Sequence, residues 1–431
     1  MPDTDNELGA GAEGEKATGT SRRRFLASAL GGAGVVAVGA GFGGGFAAAK
    51  ATGGDSTPDS SGAVEFYGRH QAGIATPAQD RLAFAAFDVT ASDASSLQAL
   101  LAQWAAAAAQ LTKGLQVGAV DVSPDRPPID TGEAVGLPAS QLTITVGFGP
   151  SLFDERFGLQ RFKPAALADL PALPRDALDP TISNGDLCVQ ACSNDPTVAF
   201  HVIRNFARLA RGTAVMRWSQ LGFGRTSSTS TTQATQRNLM GFKDGTNNIK
   251  AEDGAQMDGY VWVGGETDQD WMKDGSYLVS RRIRMLIESW DTDFLSDQEA
   301  VFGRFKTSGA PLTGTSEFDV VDLAAKDGHG NLVIDPNAHI RLASPKTNSG
   351  QMLLRRGYSY TDGIDPTTGY LDAGLFFIAF QKDPHKQFVP IQTKLGQHDN
   401  LNEYIKHTSS GLFAVPPGLS SPGDYYGKHF F

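Results

Sequence analysis

Two segments of this chain repeat one another closely enough to constrain its architecture. Leu187–Cys192 is an apolar run that breaks at Asp195-Pro196, and Leu375–Gln381 is an apolar run that breaks at Asp383-Pro384. Each leads into a helical pattern, Thr197–Ala210 in one case and a stretch through Leu395 in the other. Proline suits the first turn of a helix, where its missing N–H would have no partner, so Asp-Pro marks a strand running into a helix at both places.

The surroundings repeat as well. In the first half, Leu82–Val89 reads as a strand, Ala94–Leu111 as an Ala/Leu-rich helix stopped at Gly114, Gln141–Phe148 as an alternating strand, and Ala214–Leu221 as a closing strand. In the second, Tyr277–Ile287 reads as a strand with inserted charges and Ser296–Phe305 as a helix, followed by a segment around His339 and a strand carrying Arg355. A repeat of this size points to duplication. The order β-α-β-β-α-β in each half predicts an α+β fold of two ferredoxin-like modules with mainly antiparallel sheets, which can leave a pocket on one side.

The first fifty residues read as an address. An acidic, glycine-rich leader runs into Ser21-Arg22-Arg23-Arg24-Phe25-Leu26, then a mild Gly/Ala/Val run ending at Ala47-Ala48-Ala49-Lys50-Ala51. This is the pattern of a twin-arginine export signal, and the glycines make the alternative, a membrane anchor, a poor bilayer span. That route carries folded proteins, which raises the expectation of a cofactor and places the mature chain outside the cytoplasm or in the cell envelope. Residues 51–73 are rich in Gly, Ser, Pro and Asp and read as a flexible linker. The expected division is signal 1–50, linker 51–73, and modules 74–240 and 241–431.

A formal net charge of −10 over 431 residues removes any electrostatic case for nucleic acid. The two cysteines, Cys188 and Cys192, sit four apart on a strand, roughly 13 Å at about 3.3 Å per residue, too far for a disulfide. They read as small buried side chains, with a C-x3-C metal site as the alternative. Among eight histidines no H-x-x-x-H pair occurs, which speaks against zinc.

His339 lies in the short apolar segment Ala338–Ala343, and a single axial histidine is what a haem requires. Its other ring nitrogen should donate to a carboxylate, with Glu403 the first candidate and Asp399 the reserve. Asp244, in Gly241-Phe242-Lys243-Asp244-Gly245, can be a plain turn aspartate, since Asp-Gly is a common hairpin dipeptide. It can also relay a proton between the two oxygens of a peroxide. Arg355 could hold such an acid ionised and stabilise charge developing as the O–O bond breaks. It precedes Arg356, so strand alternation turns one of the two inward and the other out. Arg341 is a candidate partner for a haem propionate.

These residues carry a resemblance. The G-x-x-D-G motif at Gly241–Gly245, the A-H-I-R-L-A segment at Ala338–Ala343 and the L-R-R-G-Y-S-Y run at Leu354–Tyr360 resemble the dye-decolorizing peroxidases, in their twin-arginine-exported class with the deferrochelatase/peroxidase proteins. The similarity runs from about Gly62 to the C-terminus. It implies a dimeric α+β barrel of two ferredoxin-like modules and one haem b per chain. It implies His339 as iron ligand, Asp244 as distal acid and Arg355 as distal arginine. Haem contacts fall on Gly245, Thr246, Asn247, Ser344, Pro345 and Lys346. Ser344-Pro345-Lys346 departs from an Asn-Pro-Arg pattern, and a lysine there meets a propionate as a point charge without a bidentate fork.

The implied activity is reduction of hydrogen peroxide with oxidation of phenolic, dye-type or other aromatic one-electron donors through a ferryl intermediate. The alternative is a deferrochelatase-like haem- or iron-handling protein with incidental peroxidase turnover. A pocket roofed by Leu354, Phe377 or Phe380 would exclude a bulky donor, leaving electrons to pass through surface aromatics, with Tyr358, Tyr404, Trp290 and Trp271 as candidates. A carboxylate base of ordinary acidity, about 3.9 for aspartate, favours activity on the acid side. The twin-arginine translocation machinery is an expected partner, and a homo-oligomer is left open.

Overall fold

The computed structural model describes residues 62–431. The expected export signal and residues 51–61 of the expected linker lie outside them. The rest of that linker is not a loose arm. Phe66 is buried, the Gly68 N–H donates to Leu419 O, and the Gln71 amide spans two strands by donating to Val146 O and Pro416 O while accepting from Val146 N. Composition suggested flexibility, but buried side chains and a satisfied amide tie this segment down.

Nine strands alternate with helices. The first half holds β1 (Arg81–Val89), α1 (Ala94–Leu111), β2 (Thr143–Phe148), β3 (Leu187–Ser193), α2 (Pro196–Leu209) and β4 (Ala214–Arg225). A short α3 (Gly254–Tyr260) leads to β5 (Ser276–Met285), α4 (Ile287–Trp290), α5 (Leu295–Phe302), α6 (His339–Leu342), β6 (Leu354–Arg355), β7 (Tyr358–Ile364), β8 (Leu371–Gln381), α7 (Phe388–His398) and β9 (Ile405–Val415). No helix of the described residues is long and apolar enough to cross a membrane.

Within the first half the strands stand in the order β2-β3-β1-β4, and within the second β9-β5-β8-β7. These are the same order, strand 2, 3, 1, 4 in one case and 4, 1, 3, 2 in the other, so the duplication extends to topology. Every strand pairing is antiparallel. Because β5 pairs with both β9 and β8, the sheet closes on itself, with β6 added on β8. The seams between the halves are thin: Phe148↔Ala414 joins β2 to β9, and Phe223↔Ser359 with Arg225↔Tyr358 joins β4 to β7. Closure leaves few exposed edges.

Strand alternation sorts the core. Ala83, Ala85 and Phe87 of β1 face α1 and α2, where Trp104 stacks on Phe206 at 4.9 Å between centroids. Leu82, Phe84 and Ala86 turn the other way, into a barrel interior shared with Trp218, Tyr358, Phe376 and Phe413. Cys188 and Cys192 join that interior as free, buried thiols, and burial pushes the Cys188 thiol pKa well up. Among the described residues no His, Cys, Asp or Glu cluster is arranged to hold a metal ion.

The Asp-Pro repeat holds only in part. Asp195 caps α2 directly, accepting from Thr197 N at 2.7 Å, with Pro196 as the first helical residue. Asp383 instead closes a turn, accepting from His385 N at 3.0 Å, and α7 begins four residues after Pro384. The helix expected through Phe305 ends at Phe302, where Gly303 turns out at φ +77°.

Candidate active site

One large cavity of about 680 Å³ lies between the faces of β5, β8 and β9 and the helices α6 and α7. His339, Asp244 and Arg355, drawn from three separate segments, all line it.

His339 opens a single helical turn. Asp335 prepares it by accepting from Asn337 N at 2.7 Å, an Asx turn that Asp-Pro-Asn favours. Gly303 then allows α6 to pack close: a Cβ there would lie 2.4 Å from Ile340 Cγ2. The ring's Nδ1 is held by Asp399 Oδ2 at 2.6 Å, which leaves Nε2 free. Asp399 follows the last residue of α7, and its other oxygen accepts from Leu401 N at 2.9 Å, so the carboxylate is oriented from both sides. Burial opposes charge on the His339 ring, but the Asp399 carboxylate outweighs this and raises its pKa.

Glu403 is therefore not the partner of His339. It is exposed at the end of the turn Asn400–Glu403, while the reserve, Asp399, makes the bond. The sequence held the signal: an Asp directly after a helix and before Asn-Leu is a capping residue with a fixed carboxylate. Arg341 also departs from expectation. It lies outside the cavity wall and donates to Asp335 O, Leu323 O and Ile334 O, pinning the preceding loop to α6.

Asp244 and Arg355 form an ion pair through Oδ1 and Nη1. Gly245, at φ +96°, lets the Asp244 loop pass Ser227, whose Cα would lie 2.9 Å from an added Cβ. Asn248 stands three residues past that motif. Its side chain accepts from Arg355 N at 2.8 Å and donates to Arg355 O at 2.8 Å, locking the arginine's backbone to the aspartate's loop. Gly245, Thr246 and Asn247 line the cavity, as do Ser344, Pro345 and Lys346. Lys346 Nζ donates to Val321 O at 3.0 Å.

Parity corrects two further expectations. Leu354 and Phe380 face the barrel interior, while Leu353, Leu375 and Phe377 line the cavity. Arg356, expected to face outward if Arg355 faced in, is fully buried on the opposite side, donating to Thr76 O and Gln79 Oε1. A closed barrel has an inside on that face too. Nor are Tyr358, Tyr404, Trp290 and Trp271 surface aromatics, since all four are buried. Two of them connect to the site: Tyr404 meets Trp290 at 4.9 Å, Trp290 meets Phe302 at 5.7 Å, and Phe302 meets His339 at 6.1 Å between centroids.

The cavity suits a porphyrin. Ile283, Met285, Leu375 and Phe377 offer apolar walls, and an imidazole with one nitrogen occupied and the other free is a donor set for iron.

The chain matches the family described as Dyp-type peroxidase, with the N-terminal part over residues 71–224 and the C-terminal part over 235–420. Deferrochelatase of Escherichia coli (strain K12) is 39% identical over 370 residues, 84% of this chain and 86% of that protein. A DyP-type peroxidase structure from Streptomyces coelicolor superposes with a TM-score of 0.78 at 42% identity, covering 87% of this chain and 99% of that one. One from Cellulomonas bogoriensis gives 0.76 at 38% identity, covering 85% and 98%. DtpA of Streptomyces lividans, 42% identical with a TM-score of 0.78 over 87% of this chain and 99% of its own, has been characterised as an oxyferrous complex. With a duplicated α+β barrel, a porphyrin-sized cavity and these matches in agreement, the chain belongs to the Dyp-type peroxidase family and is a haem-dependent peroxidase.

Proposed function

We propose that this chain reduces hydrogen peroxide at one haem b and draws the electrons from phenolic or dye-type aromatic donors. The observation that carries this reading is the shared cavity, which displays the His339–Asp399 pair together with the Asp244–Arg355 pair. His339 Nε2 would hold the iron. When bound, the haem supplies the metal that takes up peroxide and the porphyrin that stores oxidising equivalents.

The protein's own part is positioning and proton movement. Asp399 keeps the His339 Nδ1 proton on one side of the ring, which fixes the tautomer and makes Nε2 the better donor. Asp244 takes the peroxide proton at a carboxylate oxygen and returns it to the departing oxygen, so that water leaves. Arg355 holds Asp244 in an ion pair and offers N–H groups to the charge that develops on that oxygen. Asn248 holds the arginine in place for this. Lys346 and Ser344, on the cavity wall, would meet the porphyrin's carboxylates. Electrons from a donor too large for the cavity cross through Tyr404, Trp290 and Phe302.

The test is stopped-flow mixing of the haem-loaded protein with peroxide. Asp244→Asn should slow the first spectral change by roughly 10²–10⁴-fold, the usual weight of a proton relay. An unchanged rate would remove Asp244 from that role.

A second reading, haem or iron handling with incidental turnover, is favoured by the curated relatives named Deferrochelatase. Steady-state turnover with a phenolic donor separates the two, since a carrier gives negligible kcat. The export pattern at Ser21–Leu26 supports passage through the twin-arginine machinery to the envelope or beyond, which fractionation of cells making the full chain would test.

A further inference from the structure

Among the described residues, the Asp244 carboxylate meets one donor, Arg355 Nη1. Its position against that guanidinium therefore depends on the loop that carries it. Asn248 ties the end of that loop to the Arg355 backbone. Around the aspartate itself the main-chain bonds stay local, from Asp244 N–H to Gln236 O at 3.0 Å and from Asn248 N–H to Gly245 O at 3.1 Å.

Further support comes from a distant segment. Glu317 lines the cavity on the strap that runs between α5 and α6. Its Oε2 pairs with Nζ of Lys243, the residue just before Asp244. Its Oε1 accepts from Thr246 Oγ1, two residues after Asp244, at 3.1 Å. One carboxylate thus grips both flanks of the aspartate. The pair is sheltered, with the Glu317 side chain 10% and the Lys243 side chain 24% exposed. Burial opposes the Glu317 charge, but hydrogen bonds from Lys243, Thr235 and Thr246 outweigh it and hold the carboxyl below its usual range.

Glu317 is itself fixed. Arg304 Nη1 donates to Glu317 O at 3.1 Å and to Gly309 O at 2.6 Å. Gly309 gives the Lys243 side chain its path, since a Cβ there would lie 2.6 Å from Lys243 Cδ. Farther along the strap, Val321 O accepts from Lys346 Nζ at 3.0 Å. The strap is therefore held at two points on the cavity wall.

We propose that Glu317 is a positioning residue: it clamps the Asp244 loop in register with Arg355 and through that loop sets the rate of the peroxide step. Sheltered hydrogen bonds to a charged group are the strong kind, unlike those of an exposed surface pair. A proton relay is sensitive to them because it works only within hydrogen-bond reach of the atoms it serves. The inference rests on Asp244 being that relay, and the experiment separates the two.

Hydrogen exchange of the haem-free protein reads the clamp without turnover. Glu317→Ala should raise exchange at the Asp244 and Asn248 amides by roughly tenfold or more, the weight of hydrogen bonds to a charged group, and leave β1 unchanged. Glu317→Gln keeps the side-chain length and one accepting oxygen. It should fall between wild type and Glu317→Ala, and it serves if the alanine variant does not fold. Stopped-flow mixing of the haem-loaded protein with peroxide reads the consequence. Glu317→Ala should slow the first spectral change about ten- to a hundredfold, the cost of a misplaced reacting group, and Glu317→Gln should slow it less. Combined with Asp244→Asn, Glu317→Ala should add nothing, because the clamp acts through the aspartate. Unchanged loop exchange overturns the proposal. So does a Glu317→Ala protein that keeps the wild-type rate while Asp244→Asn is slow, or one that is slowed equally with and without Asp244. If Asp244→Asn alone leaves the rate unchanged, the relay reading fails, while raised loop exchange still assigns the clamp to Glu317.

Discussion

The two halves share a strand order and differ in what fills the space between sheet and helices. In the first half, the 18 residues of α1 and the 14 of α2 close tightly over β1, β2 and β3, with Trp104 stacked on Phe206 and donating to its carbonyl at 3.1 Å. In the second, α5 has 8 residues, α7 starts late, and the one-turn α6 stands between them. The corresponding space is a cavity of about 680 Å³ with His339 on its wall. A duplicated module can therefore keep its backbone plan while one copy supplies rigidity and the other a binding site. The deciding features are helix length, the onset of the helix after Asp-Pro, and whether a large aromatic fills the centre.

Four tests sharpen this contrast. The largest effect is expected from His339→Ala, which should abolish tight haem binding in a titration followed by absorbance while leaving the thermal unfolding of haem-free protein nearly unchanged. Retention of a normal haem spectrum would move the ligand elsewhere. Next is Trp104→Ala, which empties the filled half and should cost about 3–5 kcal/mol in denaturant unfolding. Ile391→Ala on the cavity wall of haem-free protein should cost less, near the roughly 2 kcal/mol lower end of such changes, because its side chain already borders empty space. Equal costs would mean that the cavity collapses when haem is absent.

Two buried histidines give the third test, through pH. In the first half, His201 on α2 lies between Asp130 and Glu133, 3.4 and 3.2 Å away. Burial disfavours its charge, but the two carboxylates outweigh this and raise its pKa. A raised value contributes stability below the unfolded pKa of about 6.5 and loses it as pH rises through the folded value. Asp130 and Glu133 are lowered despite burial, so their share is present above roughly pH 4 and lost as pH falls through their folded values. The cluster is strongest between these limits. His407 in the second half does the opposite: held down to about 3 by burial and the Arg281 guanidinium, it destabilises the fold as pH drops below about 6.5. From pH 7 to 5, His407→Gln should flatten the decline in stability and His201→Gln should steepen it. Matching slopes for the two variants would contradict the opposed environments. The smallest effect is at the repeat itself. Asp195→Ala removes a helix cap and should cost about 1 kcal/mol, while Asp383→Ala, in a turn ahead of α7, should cost less.

Much of this was legible in the residues. Helix Ala94–Leu111 was read with its observed limits because Ala and Leu favour a helix throughout it and Gly114 follows its end; in the structure Asp93 caps its start. His339, Asp244 and Arg355 were singled out from local motifs, and all three reach one cavity. What failed were choices between neighbours. Glu403 and Asp399 are both acids near the end of the chain, and only the turn after α7 decides which oxygen meets His339. Leu354 and Phe380 were assigned to the cavity although they stand one and three residues from Arg355 and Phe377, on the opposite strand face. Residues 62–73 looked like a linker because composition does not reveal that Gln71 bridges β2 and the C-terminal segment.

By itself the sequence determined the duplicated β-α-β-β-α-β order, the strand-to-helix junctions and three candidate residues for the site, because periodicity, capping and motif are local properties. Only the tertiary structure decided that the two sheets close into one barrel, that Asp399 orients His339, and that Glu317 meets Lys243 and Thr246 on either side of Asp244. Those facts depend on pairings between residues far apart in the chain, which burial and hydrogen-bond satisfaction select and no local pattern encodes.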